Sequence, residues 1–166
     1  MTKINQLFAI LILLILVQYK PIFAQSDSTK QILWTTDWSP NGKFIAIGGN
    51  VDTLKIFSAK SLRAVKSFPI KNTITRVKWH PTKNILAVAK QLSEDKSAIY
   101  NLENNEKIEL TGISPDGARR IDWNYDGEYL AVADNDGQIL IYKFSGELVR
   151  KFTNEHTNSI TAEVWH

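Results

Sequence analysis

The chain has no cysteine, and this absence narrows the chemistry open to it. Without cysteine, the 166 residues form no disulfide, no thiolate metal site, no cysteine nucleophile and no lipid-bearing cysteine. The sequence also lacks a glycine-rich phosphate loop and a Gly-x-Ser-x-Gly nucleophile elbow. Only three histidines are present, His80, His156 and His166. We therefore expect no cofactor and no bound metal, and we favour a function other than catalysis.

The chain also lacks an apolar run long enough for a membrane span, which needs about 20 residues. Its longest such run, Leu7 to Val17, has eleven residues, follows Lys3 and precedes the small residue Ala24. This order is typical of a secretory signal peptide. We expect a signal peptide over 1–24, a linker over 25–30 and a secreted or periplasmic mature protein. An uncleaved, N-terminally membrane-anchored chain is the alternative.

The mature chain lacks an excess of charge of either sign. Cleavage after Ala24 removes Lys3 and Lys20 from 20 basic residues and none of the 17 acidic ones, which leaves 18 against 17. A net charge of +1 offers no electrostatic basis for binding nucleic acid or an anionic membrane. We expect neither as a partner.

Four tryptophans divide the sequence into similar repeats. Trp38, Trp79, Trp123 and Trp165 are 41, 44 and 42 residues apart. Each of the first three is followed by a turn rich in Pro, Asn, Asp or Gly, and then by an apolar run in the same register. The apolar runs cover residues 44–48, 85–89 and 129–133.

Each repeat contains four predicted strands in hairpin order. The third strands cover residues 53–57, 97–100 and 138–142, and the fourth strands lie around 64–68, 107–110 and 147–152. Four antiparallel strands in about 42 residues are typical of a β-propeller blade. The sequence predicts an all-β propeller with three full blades, about 31–70, 71–112 and 113–153, and the first strand of a fourth over 154–166.

The turn Trp38-Ser39-Pro40-Asn41-Gly42 and the segment from Asp52 to Phe57 resemble the tryptophan-aspartate (WD) repeat family. The resemblance implies structural roles for the four tryptophans, for the turn aspartates Asp52, Asp95 and Asp136, and for His156. The repeats are degenerate, since their third strands close with Phe57-Ser58, Tyr100-Asn101 and Tyr142-Lys143 instead of Trp-Asp. His156 matches the family histidine, whose partners would lie in a following blade. The chain is therefore expected to be part of a larger propeller, and its open end to favour self-association. A complete chain that closes a ring by pairing with a second copy is the alternative.

The family resemblance places a partner-binding surface on the loops around the central channel. The candidate binding residues are Arg76, Arg120, Asn50, Asp134 and Asn135. Arg76 and Arg120 each lie three residues before a tryptophan, and solvated charge is the alternative explanation for both. The segment Asp134 to Gly137 superficially matches a calcium loop but lacks its final glutamate, so a hairpin turn is favoured.

Three functions are compatible with the sequence. The favoured one is an exported WD-repeat scaffold that binds an unidentified protein partner through its loops. The alternatives are the propeller portion of a secreted hydrolase similar to prolyl peptidases, and a propeller that binds a small ligand or an ion. His80 and His166 follow tryptophans and are predicted to be structural turn residues, and Trp34 is predicted to be buried between blades.

Overall fold

The computed structural model of the protein describes residues 31–92 and 94–153. The predicted signal peptide, linker and fourth blade, with Trp165, His156 and His166, lie outside the described residues. The described part contains twelve β-strands. They are β1 Leu33–Trp38, β2 Phe44–Gly49, β3 Thr53–Ser58, β4 Ala64–Pro69, β5 Ile74–Trp79, β6 Ile85–Lys90, β7 Ala98–Asn101, β8 Lys107–Glu109, β9 Ala118–Trp123, β10 Tyr129–Asp134, β11 Ile139–Lys143 and β12 Leu148–Phe152.

The strands form three four-stranded antiparallel sheets, each with its strands in chain order. We call them blades 1, 2 and 3. The predicted second strands are each one residue longer in the structure, ending at Gly49, Lys90 and Asp134. The all-β prediction and the three-blade count are confirmed.

The first strand of every blade carries an irregularity at the same place. The register of pairing with the second strand shifts between Leu33 and Thr35, between Ile74 and Arg76, and at the residue before Arg120. A bulge at equivalent positions bends each inner strand in the same way. Trp34 is the extra residue in blade 1 and is 52% exposed, so its predicted burial between blades is wrong.

Two hydrophobic cores lie between the blades. The first combines Ala46, Leu54 and Ile56 of blade 1 with residues of blade 2 such as Ile74 and Leu86. The second joins the other side of blade 2 to blade 3. A side chain at Gly48 would place its Cβ 2.5 Å from Ile74 Cγ2, so only glycine lets the neighbouring sheet approach this closely.

The recurring tryptophan links each blade to the one before it. The indole Nε1 of Trp79 donates to the carbonyl oxygen of Asp37 at 3.1 Å, and that of Trp123 donates to the carbonyl oxygen of Lys78 at 3.3 Å. Trp79 and Trp123 are 5% and 6% exposed, whereas Trp38 is 57% exposed. The repeat of about 42 residues therefore corresponds to a repeated hydrogen bond between blades, and Trp38 presents the same group on an open face of blade 1.

Candidate functional site

The loops that join second to third strands, and those that join successive blades, lie at one end of the blades because the strands are antiparallel. We call this end the loop face. Its described segments are 50–52, 91–92, 94–97 and 135–138 within blades, and 70–73 and 110–117 between them. The candidate binding residues of the sequence analysis belong to these segments or to the strand ends beside them.

Backbone hydrogen bonds join the loops of blades 2 and 3 into one surface. The Gln91 N–H donates to the Thr73 carbonyl at 2.9 Å, and the Leu92 N–H donates to the Asp116 carbonyl at 3.2 Å. The Asn135 N–H donates to the Gly117 carbonyl at 3.0 Å. Loops fixed in this way present a preorganised surface, which lowers the entropic cost of binding.

Arg76 and Arg120 occupy equivalent positions on the neighbouring inner strands β5 and β9. They pair across the sheet with Ala89 and Ala133, near the strand ends that meet the loop face. Both side chains are half-buried. The equivalent residue of blade 1 is Thr35, whose hydroxyl accepts a hydrogen bond from the Val77 N–H at 3.1 Å. The two arginines thus occupy equivalent positions in blades 2 and 3. The equivalent position in blade 1 holds Thr35, which contacts blade 2.

Asn50 and Asn135 hold the loop face together. The Asn50 carboxamide oxygen accepts a hydrogen bond from the Ile32 N–H, and the Asn50 N–H donates to the Ile32 carbonyl at 3.1 Å. The Asn135 side chain donates to the Asp116 carbonyl at 2.6 Å. Both residues lie on the loop face as expected, with their amide groups fixing neighbouring backbone.

Asp134 is removed from the candidate binding surface because its side chain is fully buried. Its carboxylate accepts hydrogen bonds from the N–H groups of Ser114 at 3.1 Å, Asp136 at 3.1 Å and Gln138 at 2.9 Å. Gly137 has a φ of +78°, as the predicted hairpin turn requires. Asp134 therefore closes a turn and ties it to the preceding loop, and within residues 31–92 and 94–153 no group of three His, Asp or Glu side chains is arranged to hold a metal.

A buried lysine network in blade 2 was missed by the sequence analysis. Lys90, the last residue of β6, is fully buried, with its ammonium 2.8 Å from the Asp95 carboxylate and 3.0 Å from the Tyr100 hydroxyl. Asp95 also pairs with Lys107 at 3.2 Å and accepts a hydrogen bond from the Lys71 N–H at 3.3 Å. The sequence contained one indication of this network, since Lys90 directly follows an apolar run and an aspartate lies five residues after it.

The electrostatics of this network follow from burial and pairing. Burial lowers the pKa of Lys90 more than the Asp95 hydrogen bond raises it. For Asp95, burial raises the carboxyl pKa, but the Lys90 and Lys107 interactions outweigh it and hold the pKa below its ordinary value. Burial also raises the pKa of Tyr100 to about 12. Of the three predicted turn aspartates, Asp95 is bound inside blade 2, whereas Asp52 and Asp136 are exposed.

His80 lies at the opposite end of the blades and is structural, as predicted. Its Nδ1 accepts hydrogen bonds from the N–H groups of Thr82 and Lys83, both at 3.1 Å. The ring is buried and packs 5.1 Å from the Trp123 ring and 5.5 Å from the Phe144 ring, centroid to centroid. Burial and the nearby Lys83 charge lower the pKa of His80. The neutral ring caps the turn after Trp79.

The described residues supply polar loops, two inner arginines and buried structural ion pairs. In these same segments, no helix is long and apolar enough to cross a membrane. Together, the bonded loops of blades 2 and 3 form a polar surface next to Arg76 and Arg120.

Known proteins with similar sequences carry names from translation initiation. The chain is 25% identical over 121 residues to eukaryotic translation initiation factor 3 subunit I of Emericella nidulans, and 25% identical over 122 residues to the same subunit of Aspergillus niger. Each alignment covers 66% of this chain and 36% of the relative. The chain thus spans about a third of the length of these relatives.

A solved structure shows the same fold. The β-propeller domain of Cps50 (Swd1) from Myceliophteria thermophila superposes with a TM-score of 0.68 at 13% identity, covering 78% of this chain and 44% of that one. The similarity confirms the β-propeller fold. A family model described as eukaryotic translation initiation factor eIF2A matches residues 14–162, which is most of the sequence. The chain therefore belongs to the eukaryotic translation initiation factor eIF2A family, with the fold of a WD-repeat β-propeller.

Proposed function

We propose that this chain is part of an exported WD-repeat scaffold that binds a protein partner through its loop face. The observation that carries the proposal is the hydrogen-bonded surface formed by the loops of blades 2 and 3, next to Arg76 and Arg120. Rigid loops on a repeat scaffold suit recognition. Arginines at a partly buried position are frequent anchors in interfaces.

The binding face is tested by site-specific photocross-linking in cells. The photoreactive residue benzoylphenylalanine replaces Asp136, which is exposed on the loop face, or Lys60, which is exposed in the turn after β3 at the opposite end. We expect a discrete protein adduct from position 136 and none from position 60. Equal adducts from both positions, or none from position 136, would contradict loop-face binding.

Export is supported by the charged, apolar and small-residue order of the first 24 residues. The names of the sequence relatives would instead assign the scaffold to the translation machinery. Cell fractionation with amino-terminal sequencing separates the two. We expect a mature chain beginning at Gln25 outside the cytoplasm, and retention of the precursor when Leu13→Arg interrupts the apolar run. Recovery of the full-length chain in the cytoplasm with ribosomes would overturn export and favour the translation assignment.

A further inference from the structure

A small cavity opens on the loop face between blades 2 and 3. It has a volume of about 120 Å³. Its apolar walls are Leu92, Leu110 and Ile113, and its polar side is lined by Lys96, Ser97, Thr111, Gly112, Ser114 and Gly117. An apolar cavity of about 150 Å³ holds a benzene ring. The space here therefore matches a branched group of about four carbon atoms, which is the size of a leucine side chain.

Ser114 contributes to this cavity a hydroxyl group that no atom of the described residues satisfies. The residue is 5% exposed, and its hydroxyl oxygen is buried without a hydrogen-bond partner among the described residues. Its N–H is already bonded to Asp134, which fixes the backbone at this point. Buried hydroxyl groups are nearly always hydrogen-bonded to protein or to ordered water, so an unsatisfied one beside a cavity is available to a ligand that supplies a donor or an acceptor.

Leu92 forms an apolar rim at the mouth of this cavity. Its side chain is 47% exposed, and its backbone has a φ of +65°, which is unfavourable for leucine. The Leu92 N–H is bonded to the Asp116 carbonyl, and Gly117 leaves no room for a Cβ, which would lie 2.4 Å from the Lys90 carbonyl. The loop therefore holds an exposed apolar side chain in a strained conformation at the mouth of the cavity.

We infer that this cavity binds one leucine-sized aliphatic side chain of the partner, whose main chain hydrogen-bonds the Ser114 hydroxyl. The inference rests on the proposed function and specifies its binding site. A protein segment is favoured over a free small molecule because the cavity accommodates only a few non-hydrogen atoms. The exposed rim and the loops around it offer additional contact area to a longer chain. Apolar side chains inserted into such pockets are typical anchors of protein interfaces.

The cavity itself is tested on the full chain with isobutanol, which combines a branched four-carbon group with a hydroxyl. In ¹H–¹⁵N NMR spectra we expect saturable shifts of the Gly112, Ser114 and Gly117 amide signals. The Ser114→Leu variant, which fills the cavity and retains the backbone bond to Asp134, should lose them, and Ser114→Ala should weaken binding severalfold. An absence of saturable shifts, or equal binding by Ser114→Leu, would overturn the inference.

The partner's use of the cavity is tested by cross-linking from position 136. Leu92→Asn removes the apolar rim and suits the positive φ, whereas Leu62→Asn makes the same change at φ +53° at the opposite end of the blades. We expect the adduct to fall at least about tenfold with Leu92→Asn and to persist with Leu62→Asn. Equal yields from the two variants, even with isobutanol binding intact, would overturn the inference in favour of a small-molecule site. An absence of any adduct from the wild-type chain refutes loop-face binding, whereas the isobutanol titration still reports on the cavity alone.

Discussion

Trp79 and Trp123 donate a hydrogen bond to the preceding blade and Trp38 is exposed, so we expect equivalent tryptophans to differ in their contribution to stability. Trp79→Phe removes the donor to the Asp37 carbonyl and part of a ring that is 5% exposed. A net hydrogen bond contributes about 1 kcal/mol. The smaller ring buries less apolar surface, which removes roughly another 2 kcal/mol of stabilisation. We expect a loss of about 3 kcal/mol in the free energy of unfolding, or roughly 10 °C in Tm.

Trp38→Phe is the matched control, since the same change is made at an indole that is 57% exposed. It should alter the free energy of unfolding by less than about 0.5 kcal/mol. Urea unfolding followed by far-UV circular dichroism measures both, because fluorescence would mix the signals of five tryptophans. Equal losses for the two variants would refute the reasoning, since each tryptophan would then stabilise its own turn and not the contact between blades.

Three further predictions concern the buried polar groups and the turns. The pKa of His80 is lowered in the folded chain, so the unfolded chain binds a proton first as the pH falls through about 6.5. The free energy of unfolding should therefore decrease from pH 7 to pH 5. Urea titrations at each pH measure this decrease, and His80→Asn should abolish it. Asp95→Asn leaves the buried Lys90 ammonium without its carboxylate and should lower the free energy of unfolding by about 3 kcal/mol in the same assay. Lys90→Met should lower it less, because Asp95 then still pairs with Lys107. Gly117→Ala should lower Tm more than Gly42→Ala, because both have positive φ but only the former places Cβ against backbone; equal shifts would contradict the close approach.

The repeating features of the fold were predictable because they are encoded locally. The period of the tryptophans and the apolar runs after each turn specify the strands, and both depend only on spacing along the chain. Strand ends were misplaced by one residue because Lys90 and Asp134 are polar, and a polar residue after an apolar run indicates a loop. Both are buried, since each finds its partners in segments that follow or precede it by a turn.

The candidate site was less predictable, because the exposure of each side chain depends on neighbours that are distant along the sequence. Asp134 was assigned to the surface from its position in a turn, yet three backbone N–H groups surround its carboxylate. Trp34 was predicted to be buried between blades, but it occupies the bulge position of the first strand and is exposed. The cavity beside Ser114 arises from two loops about 20 residues apart, and no local pattern indicates it.

The three blades end their second strands with different buried residues, Gly49, Lys90 and Asp134. Their backbones are nearly interchangeable, whereas their polar partners are not. Lys90 pairs with Asp95 of the same blade, and Asp134 accepts hydrogen bonds from its own turn and from the loop that leads into blade 3. These buried polar groups are therefore satisfied within single blades. The divergence of this position stabilises each blade separately and leaves contact between blades to the apolar cores and the tryptophans.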